Sequence, residues 1–224
     1  MHTNEIIINQ FVKTKNAANH GDAEAQYDLG MLYQFGLNIV EPDENESFSW
    51  LRKSAEHGYA KAQYKIGDCY GLGYGVNIDP KQAIKWYKKA AKQNYAEAAF
   101  MLSTCYSQGF GVRKNPKHEM MWLQYAAELG HGVSQYHLGR NYEIGRFVER
   151  NLKKAISWYE KAASQGVELA ALEIASHYCL ESRGMSKEDS EQYEAIYWFL
   201  KALNLKASDA LKIIKELIVN EKKR

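Results

Sequence analysis

The chain of 224 residues is long enough for one extended array of repeats or for one to two globular domains. Lysine plus arginine number 29 against 27 for aspartate plus glutamate, and the net charge of +2 leaves no broad basic surface for nucleic acid. No apolar run approaches the roughly 20 residues that span a bilayer, and the N-terminus lacks a signal peptide's basic start, so we expect a cytoplasmic protein without membrane insertion.

The first predicted element is a helix that ends at Gly21. Gly21 begins a series of five Gly or Asn residues at intervals of 37, 36, 36 and 36 residues, and both types tolerate the left-handed conformation that follows a helix. The five tryptophans have nearly the same spacing, with intervals of 36, 36, 36 and 40 residues. The two series are Gly21, Gly58, Asn94, Gly130 and Gly166, and Trp50, Trp86, Trp122, Trp158 and Trp198. A fixed period in this range indicates a stack of repeated helical or strand-based units.

Residues 5–21 align with the second half of such a unit, with one difference. Lys13 stands at the position that tryptophan occupies in the other units. A polar residue there suits a terminal unit, because no neighbouring unit covers it. We therefore predict that residues 1–21 form an N-terminal capping helix.

Each unit is predicted to contain two helices, called A and B here. Helix A of the second unit carries Ala62, Ile66 and Tyr70 on one stripe at helical spacing. One position of helix A is small in every unit, which would allow the backbones of the two helices to approach closely. These residues are Gly30, Gly67, Ser103, Gly139 and Ala175. The large tryptophan and tyrosine side chains of helix B would fill the space beside them.

Helix B of the second unit is predicted to begin at Asp79-Pro80. The Asp79 carboxylate can accept hydrogen bonds from the free backbone N–H groups, and Pro80 suits the first helical position. Asn115-Pro116 repeats this start signal in the next unit. Pro42 gives a less clear signal in the first unit.

The segment GLGYGVNID at 71–79 joins the two helices. Its glycines could suggest a phosphate-binding loop, but no predicted strand precedes them and no Lys-Ser or Lys-Thr follows. In other units the segment changes to FGLNIV or IGRFV, which a turn tolerates. We therefore interpret this segment as a turn.

The remaining boundaries follow from the period. We predict five units, at 22–58, 59–94, 95–130, 131–166 and 167–206, followed by a C-terminal capping helix and basic tail at 207–224. In that last segment Lys212 and Lys215 take positions that are Tyr and Gly in the repeats. Polar residues at both ends lead us to expect a complete array and a monomer.

These motifs resemble the Sel-one-like repeat (SLR) family, which is related to the tetratricopeptide repeat. The segments that carry the resemblance are AEAQYDLGMLY (23–33), AKAQYKIGDCYGLGYGVNIDPKQAIKWYKKAAKQN (60–94), AEAAFMLSTCYSQGFGV (96–112) and AISWYEKAASQG (155–166). The resemblance covers roughly residues 22 to 205. It implies an all-α protein, a right-handed α-solenoid of five helix-turn-helix repeats whose A helices line a concave groove.

Positions that differ among the repeats are candidates for individual function, since positions that all repeats share serve the scaffold. Three such rows lie on helix A and, by helical spacing, opposite its packing stripe. In a concave groove these rows would contact a partner. The predicted partner-binding residues are Asp28, Met31, Gln34, Lys65, Asp68, Met101, Thr104, Ser107, His137, Arg140, Glu143, Glu173 and Ser176. Binding through loops, the convex side or the segment 182–194 is the alternative.

The sequence offers no arrangement typical of catalysis or metal binding. Its seven histidines are scattered, and His118-Glu119 does not continue into the His-Glu-x-x-His motif. The cysteines cannot form one pair per repeat, and Cys69 and Cys105 are interpreted as small buried side chains. We predict no catalytic residues, no metal and no cofactor, and therefore no enzyme.

The leading hypothesis is a protein–protein interaction module that holds a segment of another protein in the groove of its A helices. By analogy within the family, two bacterial roles are open: an adaptor, or an immunity protein that neutralises a toxin. The alternative is a small-molecule binder or hydrolase of the β-lactam type, which has been suggested for some cysteine-rich family members.

Overall fold

The computed structural model describes residues 2–36, 40–171, 173–174 and 177. Within them the chain is built from α-helices joined by short turns, and residues 168–171 begin a further helix. The helices with complete bounds are α1 (His2–Asn19), α2 (Ala23–Phe35), α3 (Glu44–Glu56), α4 (Ala60–Leu72), α5 (Pro80–Ala91), α6 (Ala96–Gln108), α7 (Pro116–Glu128), α8 (Gly132–Ile144) and α9 (Leu152–Ser164). Consecutive helices pack as antiparallel A and B pairs: α2 with α3, α4 with α5, α6 with α7, and α8 with α9. The predicted all-α architecture of consecutive helix pairs is confirmed.

Each B helix begins where a side-chain oxygen caps its first turn. Asp79 accepts hydrogen bonds from the backbone N–H groups of Lys81 and Gln82 at 3.0 and 3.1 Å, as the sequence predicts. Asn115 caps α7 in the same way. In the first unit the cap is Asp43, which follows Pro42, so α3 begins at Glu44 without a proline at its first position. The capping Asp or Asn is therefore the start signal that these B helices share, with or without a following proline.

The small position of helix A lies directly beneath one large side chain of helix B. A Cβ atom added at Gly67 would lie 2.5 Å from a ring carbon of Tyr87, and one added at Gly30 would lie 2.7 Å from Leu51. In the fourth unit Gly139 stands in the same relation to Tyr159, at 2.7 Å. In these three units, the side chain that packs against the small position therefore belongs to the residue after the tryptophan, and not to the tryptophan itself.

The glycines of the A–B turn have separate structural tasks. Gly71 lies inside α4, and Gly73 ends that helix in the left-handed conformation with φ of +79°. Gly75 has φ of +64° and presses against the backbone of Glu44, where a Cβ would collide with the carbonyl oxygen. These contacts account for the glycine pattern, and the interpretation as a turn is confirmed.

The contacts divide the chain into two compact units, with the boundary between Leu129 and Gly130. The first unit has two clusters of buried side chains, one around Leu51 and Ile66 and one around Tyr87 and Leu102. The second unit has a cluster around Tyr159. Alanines contribute to all three clusters, because their small side chains keep the helix axes close.

Candidate partner-binding face

The predicted residues of the first unit lie on its three complete A helices. Asp28 is exposed, and the other residues are half-buried. Helix α2 carries Asp28, Met31 and Gln34, α4 carries Lys65 and Asp68, and α6 carries Met101, Thr104 and Ser107. We call this set, together with the four tyrosines described below, the A face.

Two methionines of the A face belong partly to the packing of the repeats. Met31 packs against the cluster around Leu51, and Met101 packs against the cluster around Tyr87. Helical spacing predicts that their rows lie opposite the packing stripe, and this prediction is wrong for the two methionines. A methionine side chain is flexible, so each of these half-buried residues can pack against the core and still present part of its apolar surface to a partner.

Asp68 has a structural partner that the sequence does not reveal. The Tyr87 hydroxyl donates a hydrogen bond of 2.8 Å to Oδ1 of Asp68 across the A–B pair. Burial raises the pKa of the Asp68 carboxyl above its ordinary value of 3.8, although the hydrogen bond from Tyr87 and the nearby Lys65 oppose this rise. The same burial and the same carboxylate raise the pKa of the Tyr87 hydroxyl.

Four half-buried tyrosines complete the A face, and none of them is among the contact residues predicted from the sequence. Tyr27 and Tyr59 meet edge to face with their ring centroids 5.4 Å apart, and Tyr64 and Tyr95 lie 5.4 Å apart with tilted rings. Burial raises the pKa of Tyr95 to about 12, so its hydroxyl remains a hydrogen-bond donor at neutral pH. The Tyr59 hydroxyl donates to Glu24 at 3.2 Å.

The position of Tyr59 and Tyr95 in the repeat could have identified them. Each occupies the residue before an A helix, where a side-chain cap is normally found, yet neither forms a capping hydrogen bond. Each ring instead reaches the A helix of the preceding repeat. A large aromatic residue at a capping position is therefore the signal for this contact.

Charges of both signs border the tyrosines. The ammonium group of Lys61 lies 6.0 Å from the Tyr59 ring centroid, and that of Lys65 lies 5.9 Å from the Tyr64 ring centroid. Burial and the neighbouring Glu24 raise the pKa of the Asp28 carboxyl. The A face therefore combines aromatic edges, thioethers and mixed charge.

In the second unit, the predicted residues lie on α8 and in the helical residues that follow α9. His137 and Arg140 are exposed. Although His137 is exposed, neighbouring protein atoms partly desolvate its imidazole, and this desolvation together with the positive charge of Arg140 lowers the pKa of His137. Glu173 accepts a hydrogen bond of 3.5 Å from the Tyr136 hydroxyl. Ser176 lies outside the described residues, as does the segment 182–194.

Glu143 in the second unit is occupied by scaffold contacts. It accepts a short hydrogen bond of 2.5 Å from the Tyr159 hydroxyl. Its other carboxylate oxygen lies 3.1 Å from Nε2 of His177, which is within ion-pair distance but not aligned for a hydrogen bond. Glu143 thus supports Tyr159 much as Asp68 supports Tyr87, although the two carboxylates occupy different positions of the repeat.

The chemistry of the thiols fits a structural role. Cys69 and Cys105 are buried and free, as expected from the sequence. Burial raises the pKa of the Cys69 thiol to about 12 and that of Cys105 to about 11, so neither is a thiolate at neutral pH. Among the described residues, no group of three or more His, Cys, Asp or Glu side chains could hold a metal ion. None of the described helices is both long and apolar enough to cross a membrane.

The helix pairs, their period and their shared packing define a helical repeat protein. A family model described as the Sel1 repeat matches five segments of the chain, at residues 23–59, 60–95, 96–131, 132–167 and 169–206. The chain therefore belongs to the Sel1 repeat family, and the resemblance noted from the sequence is confirmed. A search among curated proteins gave no match.

Solved structures agree with this assignment. A Sel1 repeat protein from Oxalobacter formigenes is 30% identical with a TM-score of 0.78, and the match covers 92% of this chain but 58% of that one. A protective antigen of uropathogenic Escherichia coli strains with an SLR fold is 31% identical with a TM-score of 0.75, over 89% of this chain and 42% of that one. An immunity protein from Pseudomonas aeruginosa shares the fold at 21% identity and a TM-score of 0.52, over 86% of this chain and 73% of that one. This chain thus spans about half the length of the first two relatives.

Proposed function

We propose that the chain is a non-catalytic module that binds a segment of another protein through its A helices. The observation that carries this proposal is the A face of the first unit, where two tyrosine pairs stand half-buried beside Met31, Met101 and charged groups. The corresponding contact residues in the second unit are His137 and Arg140. The residues 182–194 are not needed for this proposal.

The composition of the A face is that of a protein interface. Tyrosine and methionine are enriched at the centres of such interfaces, because each offers a large contact area together with adaptable or amphipathic chemistry. The four tyrosines are already held by their neighbours, so little side-chain entropy would be lost on binding. A specific interface needs about 800 Å² on each partner, which side chains on three consecutive A helices can provide.

Two roles follow from partner binding, and both belong to the proposal. As an adaptor the chain would join two cellular proteins, and as an immunity protein it would block a toxin. The likeness to the immunity protein from Pseudomonas aeruginosa supports the fold alone, because the identity is 21%. Protection of a cell that expresses a toxin encoded beside this chain's gene would distinguish the immunity role from the adaptor role.

The proposal is tested by affinity capture from a lysate of the native organism. The wild-type chain is compared with a variant that carries Asp28→Lys and Lys65→Glu, which reverses two charges of the A face and leaves the net charge unchanged. The matched control carries Lys85→Glu and Glu160→Lys, which reverse two exposed charges on B helices. Circular dichroism confirms that all three proteins have the same helix content.

One protein retained by the wild type and the control, and lost by the A-face variant, would support the proposal. A protein retained equally by all three would move the binding site away from the A face. If no protein is retained, a thermal shift with β-lactams tests the small-molecule alternative, and a shift there would replace the present proposal.

A further inference from the structure

Three B helices cover a tryptophan ring with a lysine from the next turn. The ammonium nitrogens of Lys53, Lys89 and Lys161 lie over the rings of Trp50, Trp86 and Trp158. The distances to the ring centroids are 3.8, 3.7 and 4.0 Å. Lysine and tryptophan are three residues apart in each case, so the helix itself places the cation on the negative face of the ring.

The third unit breaks this pattern. Tyr125 stands where the other units have lysine, and its ring meets Trp122 edge on, at 5.9 Å and 71°. The Tyr125 hydroxyl is directed to the preceding helix pair, where it donates a hydrogen bond of 2.8 Å to Oδ1 of Asn94. In the described part of the chain, no cation lies over the Trp122 ring.

A pocket of about 460 Å³ lies beside this ring. Its walls include Ala91 from the end of α5 and Met121, Trp122 and Tyr125 from α7. Met121 is 50% exposed, so an apolar side chain faces solvent at the pocket. This volume lies within the range of about 300–1,000 Å³ typical of ligand sites.

The charged groups of the pocket can accept a positive ligand. Glu128 lines the pocket, and its carboxylate is fixed by a hydrogen bond of 2.8 Å from Gln124. Lys92 also lines the pocket and would repel a cation. Glu128 and Lys92 are both exposed, so solvent screens both charges. The Trp122 face adds an attraction for a cation that does not depend on either charge, and Glu128 can pair with an ammonium group held over that face.

We propose that the Trp122 pocket binds an alkylammonium group, specifically a lysine side chain of a partner protein, in place of the lysine that the other units supply from their own helix. The aliphatic part of that lysine would pack on Met121 and Tyr125, and its ammonium would lie over Trp122 near Glu128. The pocket is on the B helices, so this inference is independent of the A face and goes beyond the proposed function.

The test follows the indole N–H signal of Trp122 in ¹H–¹⁵N spectra of the full chain. This N–H is buried and has no hydrogen-bond partner, so it exchanges slowly with water and reports on its own ring. Its signal is assigned by comparison with Trp122→Phe. The probe is N-acetyl-lysine N-methylamide, and the uncharged control is N-acetyl-norleucine N-methylamide.

We expect the lysine probe to shift the Trp122 signal in a saturable way, while the norleucine probe binds at least threefold more weakly. Lys92→Gln should tighten binding of the lysine probe, Glu128→Gln should weaken it, and salt should weaken it. If the wild-type chain shows equal shifts of the Trp122 signal with both probes, or no shift with either, this result overturns the proposal without any variant.

A repeat-restoring variant gives an independent check. Tyr125→Lys should place an internal ammonium over Trp122 and abolish the response to the lysine probe. The control Tyr125→Phe keeps the ring and removes only the hydroxyl, so it should retain the response. A Tyr125→Lys protein that binds the probe as the wild type does would contradict an ammonium site on the Trp122 ring.

Discussion

Asp68 illustrates how a side chain on a variable position can be bound into the scaffold. The half-buried Asp68 carboxylate accepts a hydrogen bond from the Tyr87 hydroxyl, and burial raises the pKa of Asp68. An acid with a raised pKa in the folded state stabilises that state most when it is protonated, and this contribution is lost as the pH rises from its ordinary pKa through the raised one. The carboxylate is therefore tolerated at neutral pH at some cost in stability.

Replacing Asp68 by asparagine should remove this pH dependence. The amide oxygen of Asn can still accept the hydrogen bond from Tyr87, but it does not ionise. We expect the free energy of unfolding of Asp68→Asn, relative to the wild type, to increase as the pH rises from below 3.8 to 7. Urea denaturation at a series of pH values measures this difference. A difference that is constant or decreases with pH would contradict the assigned role of burial.

The thiols Cys69 and Cys105 should not react in the folded protein. Both are buried and their pKa values are raised, so almost no thiolate is present at pH 8. We expect iodoacetamide to leave both residues unmodified in buffer and to modify both in denaturant, as read by mass spectrometry of the corresponding peptides. Modification of either residue in buffer, at the rate of a free peptide thiol, would show that these packed A helices open readily.

At the scale of the helix pair, the small position beneath Tyr87 controls the packing distance. Gly67→Ala adds helix propensity worth at most about 1 kcal/mol but drives a Cβ into the Tyr87 ring. Overpacking of this kind costs about 1–3 kcal/mol, and we expect a net loss in the free energy of unfolding. Chemical denaturation monitored by circular dichroism measures it.

Gly71 on the same helix is the matched control. A Cβ at Gly71 would lie 3.7 Å from the Tyr87 hydroxyl, an ordinary contact distance, so Gly71→Ala should raise the free energy of unfolding by about 0.5–1 kcal/mol. If both alanine variants are stabilised, the close approach of α4 and α5 does not limit the packing.

The elements were largely predictable because their signals are local. The Asp79 and Asn115 caps and the small position of helix A follow from residues within one or two helical turns, and the tryptophan and glycine spacing repeats these local signals about every 36 residues. Contacts between helices were not predictable in the same way. Asp68 accepts a hydrogen bond from a buried tyrosine hydroxyl in one repeat, and Glu143 does so in another. Because the two carboxylates occupy different positions of the repeat, a comparison of repeats classifies both positions as variable and does not reveal their structural role.

The A face shows the same division. Its charged positions on the A helices follow from helical spacing, whereas Met31 and Met101 also pack against the core, and Tyr59 and Tyr95 act at capping positions across a repeat boundary. Their contribution depends on which repeat lies next to them. Sequence periodicity therefore locates the helices, and only their packing shows which aromatic rings border the predicted contact residues.

At the scale of the whole molecule, membership of the Sel1 repeat family explains the helix-pair architecture. Because a fold does not by itself determine function, we look for function at the surfaces that differ among the repeats. Within the first unit, burial is the main cause that raises the pKa of Tyr27 and Tyr95, and the charge of Asp68 adds a smaller contribution to both. The groups of the A face are therefore close enough to influence one another. A partner that binds there would contact several A helices at once. The central claim is that such binding is the function of the chain.

Hydrogen–deuterium exchange of the chain, alone and with its captured partner, tests this claim most directly. Contact of a partner with the A face would slow exchange of backbone amides in peptides from α2, α4 and α6, while peptides from α3 and α5 would exchange at the same rate in both samples. Slower exchange confined to the B helices or to the turns would contradict binding through the A face.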